Sequence, residues 1–241
     1  MLSNKNVLVN GCSFSRGPES WPYHLQKNNG FNLINLAQGS AGNKYIHDST
    51  IDELSQRTYD MVIIMWSGLG RFDCQVEDVS LFEKSKWTSL QQKKYNDWPE
   101  KIIYPINDQD YVDENWVFAC MNNNTYLNKI KFGETHFKYI GIKQLQLQFL
   151  RYMISLQSIL KQLAIPYLFT FYMDYYKELK DNKLFHMIDQ DNIFDIENIY
   201  NITVKNNWFN EDKIHPGATA HELWANIISI HLSKKYNAEN S

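Results

Sequence analysis

Met61-Val62-Ile63-Ile64-Met65-Trp66 is an unbroken apolar run. No polar residue alternates along it, so it fits a strand covered on both faces. Such a strand belongs inside a parallel sheet. Upstream, Asn6 to Asn10 reads as a short buried strand stopped by Gly11. Phe31 to Leu36 reads as another, closed by Gln38-Gly39-Ser40-Ala41-Gly42. Trp21 to Lys27 fits a short helix, and a second helix runs from about Lys44 to Gln56, where Ile46, Thr50 and Leu54 lie one turn apart. Downstream, Leu145, Phe149, Met153, Leu156, Leu160 and Leu163 recur at helical spacing from Ile142 to Ala164, and Pro166 ends the pattern. Tyr167 to Met173 is a strong strand, and residues 190–196 are a weaker one. The last helix is expected to open at Pro216 and run to about Lys235. Strands alternating with helices predict an α/β fold, a parallel sheet with helices on both faces. Ligands of such sheets sit beyond the carboxyl ends of the strands.

Composition bounds the function. The chain has 241 residues, of which 44% are hydrophobic and 21% charged, as expected of one globular domain. We read residues 1–241 as that domain, with an insertion or cap at about 72–140 where the periodicity lapses. The insertion is rich in aromatics; Trp87, Trp98 and Trp116 either line a groove for sugars or pack the cap's own core. A net charge of -3 gives no electrostatic footprint for nucleic acid. Mean hydropathy is -0.48, and no apolar run approaches the ~20 residues a membrane-spanning helix needs. No signal-peptide pattern opens the chain, and Cys12, Cys74 and Cys120 form no C-x-x-C pair. A reducing, cytoplasmic location is therefore expected. His215 and His221 are six residues apart, off-face on a helix and poorly placed to share a metal.

Three segments carry reactive residue types. In Gly11-Cys12-Ser13-Phe14-Ser15, directly after the first strand, Ser13 is either a helix cap or a nucleophile if a base reaches it. Cys12 reads as a buried, inert thiol. In Gln38-Gly39-Ser40-Ala41-Gly42-Asn43, the glycines either satisfy a turn or let backbone N–H groups approach an oxyanion. In Asp212-Lys213-Ile214-His215-Pro216-Gly217, the aspartate is within reach of the histidine ring if the loop turns. A carboxylate on one ring nitrogen fixes the tautomer and leaves the other free to take a proton; the alternative is a surface histidine beside a helix start.

Taken in order, Gly-x-Ser after the first strand, a glycine loop after the second and D-x-x-H-P before the last helix resemble the SGNH (GDSL-like) hydrolases. The resemblance implies a flavodoxin-like three-layer α/β/α sandwich. It also implies Ser13 as nucleophile, His215 as general base and Asp212 as its orienting partner. The oxyanion hole would take the backbone N–H groups of Ser13 and Gly39. No metal or organic cofactor is implied. The chain departs from the family where Gly-x-Asn-Asp is expected after the third strand; here the residues are Ser67-Gly68-Leu69-Gly70-Arg71. Arg71 and Asn43 are the candidate substitutes for the missing asparagine. The implied activity is ester hydrolysis through an acyl-enzyme, on a small or glycan ester. The altered third block raises the alternative of a glycan-binding or structural protein that kept the fold.

Overall fold

A computed structural model describes residues 2–39, 41–76, 103–104, 115–120 and 140–239. The chain runs β1 (Asn6–Asn10), α1 (Trp21–Asn29), β2 (Asn32–Asn35), α2 (Asn43–Gln56) and β3 (Met61–Trp66). Then follow β4 (Arg71–Val76), β5 (Ile103–Tyr104), β6 (Asn115–Cys120), α3 (Ile142–Gln162) and β7 (Tyr167–Phe171). It closes with β8 (Ile193–Phe194), α4 (Ile199–Asn206) and α5 (Ala218–Glu239).

The main sheet has the order β2-β1-β3-β7-β8, with every pair parallel. This is the flavodoxin-like order, in which β7 and β8 take the fourth and fifth places. Every residue of β3 is buried, as its unbroken apolar run requires. Trp66 at its end meets the edges of Phe149 from α3 and Phe169 from β7, with centroids 5.5 and 5.4 Å away. Helices α1 and α5 pack together, as do α2 and α3. The chain reverses direction across the sheet between β1 and β3, so the crevice above these two strands is the place for a ligand.

Two sequence expectations need correction. Pro216 does not open the last helix: it forms an isolated bridge with Phe209, and α5 begins at Ala218. The strand expected over residues 190–196 shrinks to the two residues of β8, because a 3₁₀ turn occupies Gln190–Asn192.

A second sheet lies within the stretch read from the sequence as an insertion. β4, β6 and β5 form an antiparallel ladder that interrupts the chain between β3 and α3. Trp116 of this sheet is buried and meets the Tyr45 ring of α2 edge-on at 5.3 Å, so it packs against α2 rather than lining a groove. Trp87 and Trp98 lie outside the described residues. The sheet is tied to α2 by Asp73, whose carboxylate accepts the N–H groups of Gly42 at 2.8 Å and Tyr45 at 2.9 Å. These are orphan donors of the α2 amino terminus, capped here from another element. Gly42 is needed for the approach, since a Cβ there would lie 2.6 Å from an Asp73 oxygen.

Burial raises the Asp73 carboxyl from 3.8 to about 6, against the opposing pull of those two N–H groups. The folded value therefore lies above the unfolded one. Ionised Asp73 works against the fold, a penalty present above pH ~6 and relieved as pH falls toward ~4. The stability of the wild type relative to Asp73→Asn should accordingly rise as pH is lowered from 7.5 to 5, measured by thermal unfolding of both. A pH-independent difference would show that this carboxyl titrates alike in both states.

Candidate active site

The Ser13 turn is built from beneath. Asn10, at the end of β1, is fully buried. Its Oδ1 accepts the Gly11 N–H at 2.8 Å, and its Nδ2 donates to Ser49 and Thr50 on α2 at 2.9 and 3.0 Å. Gly11 has no room for a side chain: a Cβ would lie 2.6 Å from Ser15 Oγ and 3.2 Å from the Met65 carbonyl. The chain then makes one 3₁₀ turn over Ser13–Ser15. Ser15 faces inward and accepts the Trp21 indole N–H at 3.0 Å. Cys12 is buried beside it. Ser13 is left half-exposed above the sheet.

The second loop is drawn to the first by backbone bonds from Leu36 N–H to the Val9 carbonyl at 2.9 Å and from Gln38 N–H to the Gly11 carbonyl at 3.2 Å. This brings Gly39 into the wall of the cleft that Ser13 lines. Among the described residues, neither the Ser13 nor the Gly39 N–H is spent on another backbone acceptor.

The third segment is a tight loop rather than a helix start. Asn207 closes α4 in a left-handed conformation. The Gly217 N–H then donates to the Trp208 carbonyl at 2.7 Å, and the Asn210 N–H to the His215 carbonyl at 2.8 Å. Within this frame Asp212 Oδ1 accepts the N–H groups of Ile214 and His215 at 2.8 and 2.9 Å. Its other oxygen lies 2.5 Å from His215 Nδ1, and His215 Nε2 lies 2.9 Å from Ser13 Oγ. The Phe14 ring packs against the imidazole at 5.4 Å between centroids. Ser13, His215 and Asp212 thus form one hydrogen-bonded chain.

Partial burial alone would raise the Asp212 carboxyl, but the N–H groups of His215 and Ile214 and the His215 ring outweigh it and hold the carboxyl below its ordinary value. The group is ionised at neutral pH and can only accept. His215 Nδ1 therefore carries the proton of the neutral ring, and Nε2 accepts the Ser13 hydroxyl. The arrangement can deprotonate a serine.

The two candidate substitutes for the missing asparagine are placed elsewhere. The Asn43 carboxamide accepts the Ser67 N–H at 2.8 Å and donates to the Ser67 carbonyl at 3.1 Å, which ties α2 to the exit of β3. Arg71 donates to the Ala41 carbonyl at 3.2 Å, with its guanidinium 6.0 Å from the Tyr172 ring centre. Neither lines the cleft. Sequence reasoning set aside a third residue that does: His221, buried on the first turn of α5. Among the described residues, no group of His, Cys, Asp and Glu is arranged to hold a metal.

No family model and no curated protein matches the chain. Solved structures do. The psychrotrophic esterase EstA from Pseudoalteromonas sp., in a structure inhibited by monoethylphosphonate, superposes with a TM-score of 0.52 at 12% identity, covering 97% of this chain and 100% of that one. A variant of Axe2, an acetyl xylan esterase from Geobacillus stearothermophilus, gives 0.50 at 11% identity, covering 95% and 94%. The fold is therefore one that these esterases also have. The resemblance seen in the short motifs extends to the architecture.

The hydrogen-bond chain has a direct readout. Proton NMR of the wild type should show a low-field His215 Nδ1–H resonance that Asp212→Asn shifts strongly upfield or removes. The same resonance in both proteins would mean that the carboxylate does not hold the ring.

Proposed function

We propose that the protein is a serine esterase working through Ser13, His215 and Asp212. The observation that carries this reading is the contact of Ser13 Oγ with His215 Nε2 at 2.9 Å, made by a ring whose other nitrogen is held by a carboxylate. Ser13 Oγ attacks the ester carbonyl carbon while its proton passes to His215 Nε2. The negative oxygen of the tetrahedral intermediate faces the N–H groups of Ser13 and Gly39. Collapse breaks the bond to the alcohol oxygen, which leaves with the proton from His215. Water, deprotonated by the same nitrogen, then attacks the acyl carbon; the bond to Ser13 Oγ breaks, His215 returns the proton to that oxygen, and the acid leaves. A second alcohol in place of that water would make the reaction an acyl transfer with the same residues.

The cleft narrows the substrate. It has a volume of about 460 Å³ and, among the described residues, no Leu, Ile, Val, Met, Phe, Tyr or Trp in its wall. Arg16, Glu19, Asn210 and His221 line it together with small residues and prolines. A wall of this kind offers no apolar channel for a long acyl chain. It suits a short acyl group on a polar alcohol, such as an acetylated saccharide. An acetyl xylan esterase among the similar folds is in keeping with this choice. A second reading, a binding protein that retains the fold, draws on one observation: Arg71 and Asn43 supply no third oxyanion donor to the cleft.

A fluorophosphonate probe should label the wild type, and Ser13→Ala should abolish labelling. Hydrolysis of p-nitrophenyl acetate should fall at least ~10³-fold in Ser13→Ala and His215→Ala. A wild type that neither labels nor hydrolyses would favour the binding reading.

A further inference from the structure

His221 lies one turn into α5, buried, and is one of the residues that line the same cleft as Ser13. Its Nδ1 sits 3.3 Å from the Trp21 backbone nitrogen, the first residue of α1. A backbone N–H can only donate, so Nδ1 must be the acceptor and carries no proton. The single proton of the neutral ring is then on Nε2. That atom is not among the sealed, unpartnered polar atoms of the interior, although the Nε2 atoms of His24, His47 and His231 are. It is the ring nitrogen left to serve the cleft that His221 lines.

The ring is also kept neutral. Burial, together with the nearby His24 and His215, lowers its pKa to about 4. A neutral imidazole of fixed tautomer is a poor base and a rigid donor. It contributes an N–H at a defined place without adding a charge beside His215.

We infer that His221 is a specificity-determining residue whose Nε2–H donates a hydrogen bond to an oxygen on the alcohol part of the substrate. The assignment rests on the esterase reading. It explains why a buried histidine borders a cleft whose proton transfers are already served by His215. The cap on α1 and the donor in the cleft are two ends of one ring: the capped helix fixes the tautomer, and the tautomer sets the donor.

Two substitutions separate these ends, because asparagine places a polar atom near the Nδ1 position and glutamine near the Nε2 position. His221→Asn keeps an acceptor for Trp21 and loses the donor in the cleft. His221→Gln keeps the donor and loses the cap. The quantity to measure is the ratio of kcat/KM for an O-acetylated methyl xyloside to that for p-nitrophenyl acetate, whose alcohol part lacks saccharide oxygens. The ratio should fall about five- to tenfold in His221→Asn, the loss of one hydrogen bond, and return toward the wild-type value in His221→Gln. Thermal stability should move the other way, with the glutamine variant the less stable. An imidazole ¹⁵N spectrum of the wild type should show His221 with Nδ1 unprotonated at pH 7, independently of turnover. A protonated Nδ1, or a ratio unchanged in the asparagine variant, would overturn the assignment. A wild type inactive on both esters would remove the esterase reading and this assignment with it, whereas activity with an unchanged ratio removes this assignment alone.

Discussion

The structure turns on one hydrogen bond between residues 202 positions apart, from Ser13 on the first strand's exit to His215 on the approach to the last helix. A contact of that kind has no local support. Both ends must be held by the fold, because a serine and a histidine left to their own rotamers lose more freedom than one hydrogen bond returns. The parallel sheet meets this demand by bringing the exits of β1 and β2 to one edge. The loop before α5 meets it with three hydrogen bonds on Asp212, two from backbone and one from the ring.

The same device recurs around the cleft: a buried polar side chain joins elements that sequence places far apart. Asn10 ties β1 to α2, Asn43 ties α2 to the exit of β3, Asp73 ties the second sheet to α2, and His221 ties α5 to α1. Each bond is made away from water, where an unpaired partner would cost about 1–3 kcal/mol. Such ties hold a single arrangement more firmly than apolar contact, which tolerates sliding. Three of them converge on α2, whose amino terminus follows directly on the loop that carries Gly39. Asn43, a candidate oxyanion donor in the sequence, is thus spent on joining α2 to the exit of β3.

Much of this architecture was legible in the sequence. The apolar run of β3 could only be a covered strand, and its bounds coincide with the structure. The amphipathic pattern of α3 and the stop at Pro166 were equally plain. Ser13, Asp212 and His215 stood out because strand exits and a D-x-x-H-P loop concentrate reactive residues. What the sequence hid depends on long-range partners. Asn43 and Arg71 looked free for an oxyanion because nothing local shows that Ser67 and Ala41 claim them. His221 looked idle because its partner, Trp21, lies 200 residues away. Pro216 looked like a helix start because that is its commonest local use, whereas its bridge to Phe209 belongs to the loop. The short helix α4 was missed; its polar residues dilute the apolar period over only eight positions.

The most direct test of the account is a crystal structure of the protein after reaction with an ethyl fluorophosphonate. The account predicts density for phosphorus bonded to Ser13 Oγ, with one phosphoryl oxygen within hydrogen-bonding distance of both the Ser13 and Gly39 N–H groups and His215 Nε2 beside the remaining oxygens. Phosphorus on any other residue, or an adduct at Ser13 whose oxygens turn away from Gly39 and His215, would contradict it.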